Sequence, residues 1–295
     1  MSQDFHRVSF LIPIAASDPV MDIVDELVSP ASMMIGEAAD RRTPPPDEVY
    51  VELLFQTPPD LTLIHLALTA AGVSPLPDLR EEILAHRNWI EASLRELTEV
   101  KAGRVHIYGS HHPKPVGDGR IALKIEAGLA FGTGHHETTT ACLKAMARLE
   151  RKSSPRHILD VGCGTGVLAM AAARLWPAEV IASDIDPVAV LVARENAQAN
   201  ALLPRIHFQT APGLKHPAIM RRGPYDLILA NILARPLIRM SDSITAALMP
   251  GGRVVLSGLL LWQERWVAHA YKSHGLVFEH RQRQGNWLAL TFRAP

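Results

Sequence analysis

The segment His157-Ile158-Leu159-Asp160-Val161-Gly162-Cys163-Gly164-Thr165-Gly166-Val167-Leu168-Ala169 constrains this chain more than any other. An apolar run passes through three alternating glycines into an alanine-rich stretch. Glycine is required where the backbone turns sharply with positive φ, or where a ligand approaches the main chain within van der Waals distance. A helix starting just beyond such a turn presents unpaired N–H groups to whatever binds there. Strand, glycine turn and helix form the local unit of an open α/β sheet. The segment therefore predicts that architecture, with a ligand site on the carboxyl edge of the strands.

The surrounding pattern agrees. Short apolar runs at 158–161, 180–182, 206–208, 227–230 and 254–256 alternate with helical segments from about residue 105 onward. Such alternation predicts a Rossmann-like α/β domain, a mostly parallel sheet with helices on both faces. Residues 276–280 and 287–292 flank Gly285-Asn286, a hairpin signal, so the final strand is expected to be antiparallel.

The N-terminal third has a different texture. Residues 8–14 and 49–55 read as strands, and 19–27 and 61–71 as helices, the second ending at Gly72. Arg42-Thr43-Pro44-Pro45-Pro46-Asp47 fits neither a helix nor a central strand. This order predicts a small α+β module, and a ferredoxin-like sandwich is one way to close it. Residues 81–97 are strong helix formers followed by Gly103, which suggests a connector. The expected division is an α+β domain over 1–85, a helical linker over 86–104 and an α/β catalytic domain over 105–295.

Composition narrows the function classes. Hydrophobic residues at 47% and charged residues at 20% suit a chain that buries a real core. No apolar run reaches the roughly 18 residues of a membrane span, and the N-terminus lacks a secretory pattern. Cys142 and Cys163 are the only cysteines, too few for a disulfide framework or a cysteine zinc site. A cytoplasmic monomer is the expectation. Net charge is zero, but residues 1–90 hold five Lys/Arg against fourteen Asp/Glu, a net −9, and the remainder carries +9. An acidic module on a basic body points to a partner of complementary charge, or to acidic surface kept for solubility.

Glycine spacing separates two cofactor classes. Dinucleotide sites want G-x-G-x-x-G, whereas Gly162, Gly164 and Gly166 are G-x-G-x-G, with Val167 where a third glycine would stand. S-adenosylmethionine has no pyrophosphate to seat, so the tighter loop suits it. The next strand ends in Ala182-Ser183-Asp184-Ile185-Asp186-Pro187. A carboxylate there, just over 20 residues past the first glycine, can accept both ribose hydroxyls, and Asp184 is the candidate. Asp186 reads as the cap of the helix starting near Pro187. Asp160 either meets the cofactor's ammonium group or braces the loop. Cys163 reads as a small loop residue.

Asn231 falls at the end of the run Tyr225-Asp226-Leu227-Ile228-Leu229-Ala230, where a side chain can orient the methyl acceptor or the cofactor. Asn231-Ile232-Leu233-Ala234 lacks the Asn-Pro-Pro-aromatic pattern used for planar nitrogens, which leaves room for a flexible alkyl amine. Upstream, Gly128-Leu129-Ala130-Phe131-Gly132-Thr133-Gly134-His135-His136-Glu137-Thr138-Thr139 suggests a loop folded over the cofactor, with a helix from Thr138 onward. No metal site is read there, because adjacent histidines rarely reach one ion.

These segments, with Asp184-Ile185-Asp186-Pro187, Ala230-Asn231-Ile232-Leu233 and Pro250-Gly251-Gly252, resemble the PrmA family, the methyltransferases of large-subunit ribosomal protein L11. The resemblance is dense over 120–295 and loose over 1–100. It implies a class I S-adenosylmethionine-dependent methyltransferase with cofactor contacts at Thr139, Gly162, Asp184 and Asn231. It further implies an N-terminal ferredoxin-like domain that recognises a basic ribosomal protein, without direct reading of nucleic acid. The implied substrates are lysine ε-amines and the N-terminal α-amine, taken to the trimethyl state. Alternative readings are a methyltransferase acting on lysines of a different protein or on a small amine, a cofactor-binding module without turnover, and a nicotinamide oxidoreductase.

Overall fold

The computed structural model describes residues 5–28, 30, 32–36, 47–55, 57–84, 99–117, 119–126 and 136–295. Two compact units divide the chain, Met1–Ala92 and Ser93–Pro295. In the first, β1 (Phe5–Pro13), α1 (Ser17–Leu27), β2 (Ser32–Gly36), β3 (Glu48–Phe55), α2 (Leu61–Ala70) and β4 (Arg80–Leu84) follow one another. The strands form one antiparallel sheet in the order β2-β3-β1-β4, the ferredoxin-like sandwich. Period-two alternation sends Val8, Phe10 and Ile12 of β1 and Val51 and Leu53 of β3 into a core with Val20, Val24, Ile64 and Leu68. Asp60 starts α2 by accepting the N–H groups of Thr62 and Leu63.

One expectation is corrected here. Residues 81–84 are strand β4, not the start of a helix. Arg80-Glu81-Glu82 has good helix propensity, but β1 would otherwise leave a row of unpaired N–H and C=O groups on that side. Pairing fills it, and a His6–Glu81 hydrogen bond (3.2 Å) and an Arg7–Glu82 ion pair add contacts across the ladder. Tertiary pairing overrides local preference. Residues 85–98, where most of the helical linker is expected, and the proline run 42–46 lie outside the described residues. Residues 100–102 of that linker are strand.

The second unit opens with a small sheet of β5 (Val100–Ala102), β6 (Val105–Tyr108) and β7 (Ile121–Lys124). Then come α3 (His136–Glu150), β8 (His157–Val161), α4 (Val167–Leu175), β9 (Glu179–Asp184), α5 (Pro187–Ala199) and β10 (Ile206–Thr210). The remainder is α6 (Pro217–Met220), β11 (Tyr225–Asn231), α7 (Ala234–Arg239), α8 (Ser241–Ala247), β12 (Leu248–Leu260), α9 (Glu264–Ser273), β13 (Val277–Gln284) and β14 (Trp287–Arg293). Strands β8 to β14 form one sheet in the order β10-β9-β8-β11-β12-β14-β13. The pairings from β10 through β12 are parallel, and β14 runs antiparallel to both its neighbours. This is the expected mostly parallel sheet with a final antiparallel strand.

Both faces of the central strands of this sheet are buried, which explains their near-continuous apolar character, while the edge strand β13 is largely exposed and polar. Ile158, Val180, Leu227 and Val255 join the core with residues of α3, α4 and α5, while Leu159, Ile228, Val254 and Leu256 join the opposite core with residues of α7 to α9. Strand order reverses between β8 and β11, so their carboxyl ends open the crevice where ligands bind in such sheets. Helix α7 directly follows that crevice and is pinned from behind, where the buried Tyr271 hydroxyl donates to the Leu237 carbonyl at 2.9 Å. Its ring stacks on Phe292 at 5.7 Å. Tyr271→Phe keeps the ring and strands the carbonyl, so a loss of about 1–3 kcal/mol is expected in denaturant unfolding. Unchanged stability would show that Leu237 does not need this donor.

Candidate active site

The glycine loop is built as its spacing predicts. Gly162, Gly164 and Gly166 all adopt positive φ, at 70°, 51° and 80°. A Cβ on Gly162 would lie 2.3 Å from Ile232 Cγ2, so only glycine lets this turn approach the end of β11. The N–H groups of Gly162 and Cys163 donate to the Ser183 carbonyl at 2.8 and 2.9 Å, tying the loop to β9.

Two carboxylates complete the grip. Asp184, at the tip of β9, accepts the Gly164 N–H on Oδ2 (2.8 Å) and the Asp186 N–H on Oδ1 (3.1 Å). Both oxygens keep further lone pairs, and the side chain is only half-buried. Asp186 caps α5 through Val188 N–H, the role read for it from sequence. Asp160 is 1% exposed, and its Oδ2 accepts the Ala169 N–H at 2.9 Å in the first turn of α4. Its Oδ1 is buried with no partner among the described residues. Burial pushes the Asp160 carboxyl up to about 7, with the Asp184 charge adding and the Ala169 N–H opposing. Asp160 thus braces the loop with one oxygen and holds the other in reserve. Burial also raises Cys163 and Cys142, the latter to about 12, so both stay thiols.

Across the crevice Asn231 ends β11. Its Nδ2 lies 3.4 Å from Thr138 Oγ1, and its Oδ1 is buried without a partner among the described residues. Asn231 is in register with Ser257 of β12, whose Oγ lies 2.9 Å from the Leu288 carbonyl and 3.2 Å from that of Thr138. Gly258 follows at φ 82°, where a Cβ would stand 2.3 Å from the Ile232 carbonyl oxygen. Thr139 is half-buried on the first turn of α3. Residues 127–135, which carry most of the Gly128–Thr139 stretch, lie outside the described residues.

The crevice thus gathers Gly162, Gly164, Gly166, Asp160 and Asp184 on one side and Asn231 on the other. Sequence reading missed Ser257 and Asn196 and did not foresee the contact of Thr138 with Asn231. Asn196, 2% exposed on α5, accepts the Glu126 N–H (2.9 Å) and donates to the Thr165 carbonyl (3.0 Å), joining the glycine loop to the segment after β7. A separate cleft of about 370 Å³ opens beside edge strand β10, lined by Arg194, His207, Gln209 and Arg222. None of the predicted site residues borders it. Among the described residues no three His, Cys, Asp or Glu side chains gather around a metal position, and no helix is long and apolar enough to cross a membrane.

Residues 15–295 match the family described as ribosomal protein L11 methyltransferase (PrmA). The chain belongs to that family. A ribosomal protein L11 methyltransferase of Bradyrhizobium diazoefficiens is 40% identical over 291 residues, 98% of this chain and 97% of the relative. That of Chelativorans sp. is 46% identical over 225 residues, 75% of this chain and 77% of the relative. The crystal structure of a ribosomal protein L11 methylase from Lactobacillus delbrueckii subsp. bulgaricus superposes with TM-score 0.60 at 28% identity, covering 67% of this chain and 99% of that one.

The seven-stranded sheet of this L11 methyltransferase family member is the class I S-adenosylmethionine-dependent methyltransferase fold. The crevice fits that cofactor chemically. The bare Gly162 backbone makes a close wall, and Asp160 Oδ1, a buried acceptor with no partner among the described residues, suits a cationic ligand. Gly162→Ala is expected to cost about 1–3 kcal/mol in denaturant unfolding, from strain and from the Ile232 clash. In an Ile232→Ala background the clash disappears, so the same substitution should cost less. A double-mutant cycle with zero coupling would place Ile232 away from the loop.

Proposed function

We propose that this chain transfers methyl groups from S-adenosylmethionine to the lysine ε-amines and N-terminal α-amine of large-subunit ribosomal protein L11. The observation that carries this reading is the crevice between β8 and β11, where a glycine loop held by Asp160 and Asp184 lies across from Asn231, whose amide oxygen has no partner among the described residues. Asp184 accepts the ribose hydroxyls with lone pairs left over from the loop. Gly162, Gly164 and Gly166 present main chain to the cofactor, Thr139 joins them from the first turn of α3, and Asp160 offsets its positive charge.

The cofactor supplies an electrophilic sulfonium methyl. The rest is the work of this chain's residues. Lysine's reference pKa is about 10.4, so at neutral pH few amines carry a free lone pair. A dry crevice favours the neutral amine. Asn231 Oδ1 accepts an N–H of that amine and points its lone pair along the line of attack. Holding reactants in line supplies up to roughly 7–11 kcal/mol of the barrier reduction. No general base is needed when the product proton leaves to water.

The acidic balance of residues 1–90 supports the N-terminal unit as the surface that recognises a basic ribosomal protein. The division into a recognition unit, a linker and a catalytic unit follows that reading, with a cytoplasmic monomer that reads protein and not nucleic acid. The direct test incubates enzyme, labelled methyl donor and a mixture of ribosomal proteins with other proteins and small amines. Label on L11 lysines and its N-terminus is expected, and label elsewhere would transfer the assignment to another acceptor. Asp184→Ala should weaken cofactor binding at least about tenfold by calorimetry. Unchanged affinity would remove Asp184 from the ribose site.

Asp160 makes a pH-dependent prediction. Its carboxyl is raised in the fold, so the stability it contributes to the ligand-free enzyme is full at low pH and is lost as pH rises towards about 7. A cationic ligand favours the ionised form and releases the proton. Affinity for S-adenosylmethionine should therefore rise from about pH 5.5 to about pH 7.5, and Asp160→Asn should flatten the rise. The groups facing Asp160 are Asp184, Cys142, Cys163 and the Ala169 N–H, and the thiols do not ionise in this window. An equally steep profile in Asp160→Asn would assign the titration elsewhere.

A further inference from the structure

An asparagine amide has two orientations related by a half-turn, nearly equal in shape and opposite in chemistry. At the end of β11 the choice decides whether an acceptor amine meets a carbonyl oxygen or an N–H. An oxygen accepts the amine's N–H and leaves its lone pair open. An N–H facing the amine would bind the lone pair itself and block attack. Something outside the amide must select between them.

Resting on the reading that Asn231 faces the acceptor amine, we infer that Thr138 is a positioning residue whose hydroxyl holds the Asn231 amide so that Oδ1 is presented to the nitrogen. Thr138 is 4% exposed in the first turn of α3, and Asn231 Nδ2 donates to its Oγ1 at 3.4 Å. Asn231 Oδ1 is buried with no partner among the described residues, as an acceptor kept for a ligand would be. The threonine is also fixed through its main chain. Its carbonyl lies 3.2 Å from Ser257 Oγ, and Ser257 stands beside Asn231 on the neighbouring strand. Thr138 and Asn231 are therefore referred to one rigid frame, the paired ends of β11 and β12. Thr139, the cofactor residue read from sequence, is the next position on the same turn and is not needed for this contact.

In each transfer the nitrogen lone pair forms the C–N bond as the C–S bond breaks, with the bonding electrons staying on sulfur. After the first and second transfers the ammonium proton passes to water; the third leaves a quaternary ammonium with no proton to lose. A neutral primary amine has two N–H groups, a secondary amine one and a tertiary amine none. An oxygen that positions the amine through N–H therefore assists the first and second transfers and does nothing comparable for a third. A purely structural threonine would affect all three alike.

The test compares wild type, Thr138→Val and Thr138→Ser with S-adenosylmethionine and L11 protein, either unmodified or chemically dimethylated at its amines. Thr138→Val should lower kcat on unmodified protein about tenfold, the loss of one modest hydrogen bond in the transition state. It should leave cofactor Kd within about twofold and the rate on dimethylated protein near wild type. Thr138→Ser should restore the first rate. Wild-type kcat in Thr138→Val, equal losses on both substrates, or a parallel loss of cofactor affinity would each overturn the assignment. If wild type labels neither form of L11, the substrate reading fails, and this inference falls with it.

Discussion

The second unit depends on how its glycine loop is gripped. Three residues in the left-handed region cannot hold a turn by side-chain packing, because they have none, so the hold must come through the backbone N–H groups. Asp184 takes that of Gly164, Asp160 takes that of Ala169, and the Ser183 carbonyl takes those of Gly162 and Cys163. A loop held this way keeps its ligand-facing surface bare. The same contacts place a carboxylate at the start of α4, where the helix dipole favours negative charge. Fold and site share these hydrogen bonds, so a substitution in the grip is felt in both stability and binding.

Topology brings the other half of the crevice to this loop. Strand β11 lies next to β8, and β12 next to β11. Asn231 is thereby set one strand away from Gly162, with Ser257 beside it on the next strand, although long stretches of chain separate them. The left-handed Gly258 lets β12 pass against the Ile232 carbonyl, and the pairing of β12 with β14 shifts register there. Helix α7, pinned by Tyr271, then leaves the crevice in a fixed direction. No loop of this chain makes the site alone.

What was legible in the sequence follows from range. The glycine loop, Asp184 and the Asp186 cap are local devices with fixed offsets, and each stands where its spacing put it. The alternating apolar runs predicted the sheet because a strand buried on both faces must be apolar throughout. Residues 81–84 misled because their side chains favour a helix, while the deciding partner, β1, lies some seventy residues earlier (His6 and Glu81 are 75 apart). Asn196 looks like any polar helix residue until β7 comes alongside, 70 residues away in sequence. Thr138 and Asn231 are 93 apart, and only the finished fold joins them. The lesson is physical: side chains that answer to the backbone nearby can be read from sequence, and those that answer to a distant strand cannot.

The unsatisfied groups complete the argument. A buried acceptor without a donor costs about 1–3 kcal/mol, and among the described residues Asp160 Oδ1 and Asn231 Oδ1 are two such acceptors at the crevice. A fold selected for stability alone would pair them or replace them with apolar groups. Each is half engaged instead: one oxygen of Asp160 braces α4, and the amide nitrogen of Asn231 meets Thr138, while the remaining acceptor is held open. Half engagement fixes direction, and in the proposed reading the open halves meet the ligands, Asp160 the cofactor and Asn231 the acceptor amine. The central strands of the sheet, apolar on both faces, offset that standing cost. On the proposed function, stability given up at the crevice returns as binding energy with a defined orientation, which an in-line transfer to a flexible amine requires.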